Sequence, residues 1–232
     1  HRDLHSFPTR RSSDLGESPV KSEDPEVDPM IKRCVVDKKT LIASFSYDAL
    51  KFADVVVVDI QCDYQKEALG NCRDGQAEMA ALEQAFGIIA ERIPPNCLTL
   101  IETTVPPGTT ENIAMPIMAK IFKQRNIPTE PLLSHSYERV MPGRNYVSSI
   151  RDFYRVCSGV NEEAKKRVEK FLREILNTKD YPLTVLEKPI ESETAKIVEN
   201  SYRATILAFM DEWSLFAERN GVDILKVIKA IK

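Results

Sequence analysis

The segment Ala53–Ile60 (ADVVVVDI) constrains the chain most, because four consecutive valines leave the backbone little choice. β-branched side chains lose rotamer freedom in a helix and pack well on a pleated surface, so the run is a strand. It is continuously apolar rather than alternating. That is the pattern of a strand covered on both faces, as in a parallel sheet flanked by helices.

The segments that follow repeat this alternation. Gln76–Ile93 places apolar residues at three- and four-residue spacings before Pro94-Pro95, which makes it a helix, and Cys97–Glu102 is a second buried strand. Pro106-Pro107-Gly108 forms a turn, Thr109 or Thr110 can cap a helix reaching about Gln124, and Pro116 is expected to kink it. Leu132–Tyr137, Phe153–Val156 and Leu183–Leu186 read as further strands, and Asn161–Leu176 as a helix capped by Asn161. Nearer the start, Met30–Val36 suggests a short helix and Leu41–Phe45 an edge strand. Such alternation at short intervals implies right-handed parallel crossovers with helices on both faces. The expected fold class is α/β, a partial doubly wound (Rossmann-like) parallel sheet.

A change of regime comes at Pro189. From Ile190 to about Asn220, apolar residues recur at helical spacings without Gly or Pro, which predicts one long helix closed by Gly221. A helix of that length needs partners on more than one face, as in domain connectors and dimer cores. Residues 16–188 are therefore expected to form the sheet domain, and 189–232 the start of an all-α dimerisation domain. His1–Leu15 (HRDLHSFPTRRSSDL) reads as a translated sequencing adapter and is set aside.

Charge and composition narrow the function. Removing three Arg and two Asp with the adapter-like stretch from 32 basic and 35 acidic residues leaves 29 and 33, a net charge of −4. Nucleic acid is not an expected partner of such a surface. No stretch reaches the roughly 18 consecutive apolar residues of a membrane helix, so a cytoplasmic protein is expected. Five cysteines without a CxxC pair argue against a disulfide framework or structural zinc. His135 is the one histidine after His5 and carries a structural reading, so no metal is expected.

Three segments carry the chemistry: Glu102–Gly108 (ETTVPPG), His135–Arg144 (HSYERVMPGR) and Glu191–Arg203 (ESETAKIVENSYR). Taken singly they read as a capped turn, surface loop charges and an exposed Glu/Lys helix face. In this order and spacing they resemble the UDP-glucose/GDP-mannose dehydrogenase family over nearly all of residues 16–232. The resemblance implies NAD as cofactor, a UDP-sugar substrate whose C6 hydroxyl is oxidised to a carboxylate in two steps, and a homodimer through the long helix. Residues 16–188 would then be a partial NAD-binding domain. The Pro142-Gly143 ending is similar to the branch acting on UDP-N-acetylhexosamines, although Tyr137 stands where proline is usual.

Thr104 falls on the family's threonine, in the strand-end segment that closes over the nicotinamide side. Strand carboxyl ends are where open parallel sheets bind ligands, and a hydroxyl there can hold a water or a cofactor group. Glu138 falls on the acid implicated in activating water beside C6, work suited to a carboxylate that can accept a proton. Lys196 and Asn200 fall on the active-site pair, and their i, i+4 spacing puts both on one helix face. An ammonium and an amide can bracket the C6 oxygen as negative charge gathers on it. Cys62 stands in a segment that the family commonly has as VPTP, which places it on the cofactor side as a loop thiol without a basic neighbour.

Two family features are missing from the sequence. There is no GxGxxG turn and no cysteine beyond Cys157 to serve as the family's nucleophile. The expectation is an internal fragment of such an enzyme, inactive alone and poorly soluble through exposed sheet edges. Two rivals stay open. One is a β-hydroxyacid dehydrogenase, which shares a Lys/Asn pair on a long helix but lacks a loop like Tyr137–Gly143 (YERVMPG), which is similar to the dehydrogenase family's PERV-PG loop. The other is a non-catalytic dimerisation module with a vestigial sheet domain.

Overall fold

The computed structural model describes residue 16, residues 22–65 and residues 75–231. The adapter-like stretch lies outside the described residues. The chain divides into two compact units, His1–Glu193 and Thr194–Lys232.

The first unit is built on a five-stranded sheet in the order β1 (Val55–Val58), β4 (Leu98–Ile101), β5 (Leu132–His135), β6 (Arg155–Gly159) and β7 (Leu183–Val185). β1, β4 and β5 are parallel, in register Val55↔Leu98 and Leu98↔Leu132. A separate antiparallel ribbon joins β2 (Tyr64–Gln65) to β3 (Gln76–Ala77). The α/β class expected from the sequence holds, with one refinement. β6 enters antiparallel to β5, pairing His135 with Ser158, and β7 runs parallel to β6. An antiparallel neighbour can begin where β5 ends, so the chain needs no full return crossover between them.

The valine run departs from its expected burial. Its paired part lies at the edge of the described sheet, and although Val58 is buried, Val57 is 42% exposed. Leu41–Phe45 is not a strand. Leu41, Ile42 and Phe45 are exposed, and the Ser44 and Ser46 hydroxyls accept from the backbone N–H groups of Ser46 and Asp48. Such local bonds give the backbone an alternative to a sheet ladder, and they lead into a 3-10 helix, Tyr47–Phe52. The short helix expected nearby is α1 (Val27–Lys32), continued by a π-helical turn at Arg33–Asp37.

Helices cover both faces of the sheet. On one face α2 (Ala80–Arg92) and α3 (Met115–Gln124) send Leu82, Phe86, Met118 and Phe122 into a core with Ile101 and Leu133. On the other, α5 (Glu162–Ile175) packs Ala164, Val168 and Leu172 against Leu98, Leu100 and Cys157. Each such large side chain contributes about 1.5–3 kcal/mol by leaving water. Between β5 and β6 lies a short helix, α4 (Tyr146–Arg151), which the periodicity did not announce. The irregularity expected at Pro116 takes the form of a π-helical turn, Thr110–Ala114, closed by Met115 N–H to the Thr110 carbonyl. A proline without an N–H favours such a shift in the ladder just ahead of it.

Asn161 caps α5 as expected, its side chain accepting from Ala164 N at 2.9 Å. The strand-to-helix turn before it is tight: a Cβ on Gly159 would lie 2.5 Å from Lys165 N and 2.8 Å from the Ala164 carbonyl carbon. Gly159→Ala is therefore expected to cost about 2 kcal/mol in urea unfolding, an overpacking penalty against backbone that cannot swing aside. An unchanged midpoint would mean the start of α5 shifts freely.

The second unit holds most of α6 (Pro189–Asn220), a 32-residue helix whose first residues belong to the first unit. Gly221, at φ +64°, ends it as expected. A further helix, α7 (Ile224–Ala230), follows, capped by Asp223 through Leu225 N and Lys226 N. No helix among the described residues is long and apolar enough to cross a membrane.

Candidate active site

Backbone pairing runs past the formal strand ends and sets the geometry of the site. Glu102 N donates to Val58 O at 3.0 Å, Ser136 N to Ile101 O at 3.0 Å, and Glu138 N to Glu102 O at 3.4 Å. Asp59, Glu102 and Glu138 are thereby brought to the same carboxyl edge of three adjacent strands. Thr104 follows Glu102 by two residues and is half-buried, as is Glu138. The structure thus brings the segments of Thr104 and Glu138 together on neighbouring strand ends.

Because β6 runs the other way, its first residue, Arg155, arrives at that edge. It is 2% exposed, donates through Nη1 to the Tyr137 carbonyl at 2.5 Å, and pairs through Nη2 with the Glu102 carboxylate. Burial pushes the Glu102 carboxyl above the usual range, Arg155 draws it back, and Asp59 and Glu138 push it up again. The Glu138 carboxylate accepts from Val140 N, which curls the loop after β5, and the Arg139 guanidinium lies 4.5 Å from the centre of the Phe153 ring.

Cys62 lies beyond β1, where its Sγ sits 3.9 Å from the Glu78 carbonyl and 3.5 Å from Met79 Sδ. Burial, followed by the Asp63 and Glu78 carboxylates, pushes this thiol up, which makes it a poor nucleophile. Lys196 and Asn200 belong to the second unit, one turn apart on α6, with Lys196 half-buried and Asn200 exposed. Among the described residues no cluster of His, Cys, Asp or Glu could hold a metal ion.

Two features escaped the sequence reading. Glu193, which reads as a helix-supporting surface charge, is fully buried. Its carboxylate accepts from Gly108 N at 2.5 Å, Thr110 N at 2.8 Å and Thr110 Oγ1 at 2.6 Å. Neither Thr109 nor Thr110 caps the helix as expected; Glu193 does so from elsewhere in the chain. No sequence signal marked it, because two threonines follow the Pro-Pro-Gly turn and offer the local cap that Glu193 in fact replaces. The second feature is a hydroxyl–imidazole network, with His135 Nδ1 2.7 Å from Ser192 Oγ and that oxygen 2.7 Å from Ser158 Oγ. Burial pushes the His135 pKa down to about 4, so the ring is neutral and structural near pH 7.

Carboxylates and a hydroxyl gathered at the carboxyl ends of parallel strands, in a sheet covered on both faces, are the layout of the dinucleotide-binding α/β proteins as a class. The chain belongs to the UDP-glucose/GDP-mannose dehydrogenase family. Residues 11–178 match its NAD binding domain and residues 190–232 its central domain. It is 27% identical over 206 residues to the UDP-N-acetyl-D-mannosamine dehydrogenase of Pyrococcus horikoshii, covering 89% of this chain and 46% of that protein. It is 29% identical over 157 residues to the UDP-N-acetyl-D-glucosamine 6-dehydrogenase of Pseudomonas aeruginosa, covering 67% and 36% of the two. A solved structure of UDP-D-ManNAc dehydrogenase from Pyrococcus horikoshii superposes with a TM-score of 0.79 at 25% identity, over 96% of this chain and 49% of that one. The chain thus spans about half the length, or less, of the relatives it matches.

Proposed function

We propose that this chain is part of a longer, cytoplasmic NAD-dependent nucleotide-sugar dehydrogenase that oxidises the C6 hydroxyl of a UDP-N-acetylhexosamine to a carboxylate in two steps. The observation that carries the reading is Glu138 standing beside the Thr104 segment on adjoining strand ends, in a chain that matches both family domains. Residues 16–188 serve as the partial NAD-binding domain and 189–232 as the start of the central domain. Exposed Tyr202, Leu207, Phe209 and Trp213 on the long helix support a homodimer through it.

The residues suit one half of the cofactor. The Thr104 hydroxyl at a strand end would hold the nicotinamide side, with Cys62 on the cofactor side beyond β1. The helix N-terminus at Thr110 is filled by Glu193, so the pyrophosphate is not held there. Bound there, NAD would supply the hydride acceptor for C6, with the C6 hydroxyl proton passing to water. Lys196 and Asn200 donate to the C6 oxygen as charge gathers on it, a contribution of several kcal/mol in comparable sites. Glu138 takes the proton of the attacking water, which Thr104 helps to hold. No cysteine follows Cys157, so the family's covalent step is not carried by these residues.

The test is to recover the gene across both ends of this sequence from its source DNA, express it, and follow NADH formation. UDP-N-acetylhexosamines should support it better than UDP-glucose. A full-length product that binds NAD but oxidises no UDP-sugar would overturn the reading.

A further inference from the structure

We infer that Arg155 is a positioning residue for Glu138, locking the ends of β4 and β5 together so that the carboxylate and the Thr104 segment keep one fixed relation. The inference rests on the function proposed above, in which Glu138 and Thr104 act on the same substrate.

The ladder between these strands weakens where the chemistry would occur. The Ser136 N to Ile101 O bond is 3.0 Å, and the next bond, Glu138 N to Glu102 O, stretches to 3.4 Å. Backbone pairing therefore holds Glu138 less firmly than the residues before it. Arg155 bridges the two segments at this point. Nη1 takes the carbonyl of Tyr137, one residue before Glu138, and Nη2 takes the carboxylate of Glu102, two residues before Thr104.

A guanidinium is suited to this work because its donors form a planar fork, which sets both distance and angle between its partners. A lysine offers a point charge and cannot reproduce that geometry. Stability is a poor explanation for the group. A buried ion pair adds little net free energy over apolar packing, and Arg155 also leaves its Nε buried without a hydrogen-bond partner. Its delivery depends on the antiparallel course of β6, which puts the start of that strand against the end of β5.

The test uses Arg155→Lys, Arg155→Met and the double variant Arg155→Met/Glu102→Gln in the full-length enzyme. Arg155→Met should lower kcat about 30-fold with KM within about twofold, the size expected for a reacting group displaced by less than an ångström. Arg155→Lys should fall between. The double variant no longer buries an unpaired carboxylate, so its melting temperature should return toward wild type while kcat stays low. Recovery of kcat together with stability would show a merely structural role and overturn the inference. A second readout does not need activity. In the 232-residue chain, amide exchange at Glu138–Val140 should quicken in Arg155→Met while the amides of Leu98–Ile101 stay protected. Unchanged exchange at Glu138–Val140 would overturn the inference. An inactive wild-type enzyme with faster loop exchange in the variant would instead sink the proposed function and leave the clamp standing.

Discussion

Glu193→Ala is expected to lower the stability of the first unit by about 3–5 kcal/mol, read as a fall in urea midpoint at unchanged slope. The carboxylate accepts three hydrogen bonds, two of them from the backbone N–H groups of Gly108 and Thr110. Alanine strands these donors in a site that water does not reach, and a buried donor without a partner costs about 1–3 kcal/mol. Some of the loss is offset, because a buried charge no longer has to be desolvated. Glu193→Gln should lose less: its amide keeps one acceptor but turns an N–H toward the donors. Since a domain of this kind has about 5–15 kcal/mol in total, the alanine variant should sit close to unfolding. A loss under about 1 kcal/mol would mean that water replaces the carboxylate and that the cap matters little.

Acid should destabilise the protein through His135. The folded ring has its pKa pushed down to about 4, against an ordinary value of 6.5, by burial. The unfolded chain therefore takes up a proton near pH 6.5 while the folded chain resists until about 4. The contribution of His135 to stability is fully present above pH 6.5 and is lost as pH falls toward 4, about 3 kcal/mol in all. Glu102 acts with the opposite sign, since its folded carboxyl is raised and lowering the pH relieves a buried charge. Comparing wild type with His135→Asn separates the two. The asparagine keeps a polar partner for Ser192 and cannot titrate, so its stability should change less between pH 7 and pH 4.5. Equal pH dependence in both proteins would show that carboxylates alone set the acid limb.

Local information carried much of this protein. The valine run, the Asn161 cap, Gly221 and the Lys196–Asn200 spacing are legible because strand preference, capping and helical period depend on neighbours a few residues apart. The three segments that resemble the dehydrogenase family were equally visible, and the match to both family domains bears out that recognition.

Tertiary structure decided the rest, because it depends on which distant segments meet. Leu41–Phe45 has strand-like residues, yet its serines satisfy the local backbone and it stays out of the sheet. Nothing near Phe153 states whether β6 will run with or against β5, since direction follows from where the returning chain finds an open edge. That direction delivers Arg155 to Tyr137 and Glu102, 18 and 53 residues away in sequence. Glu193 meets its donors across 83 and 85 residues. Sequence by itself determined the main helices and buried strands, the family and the identities of the chemical groups. Only the fold decided which charges are buried and what they hold, because the cost of burying a charge depends on the partners that surround it in space.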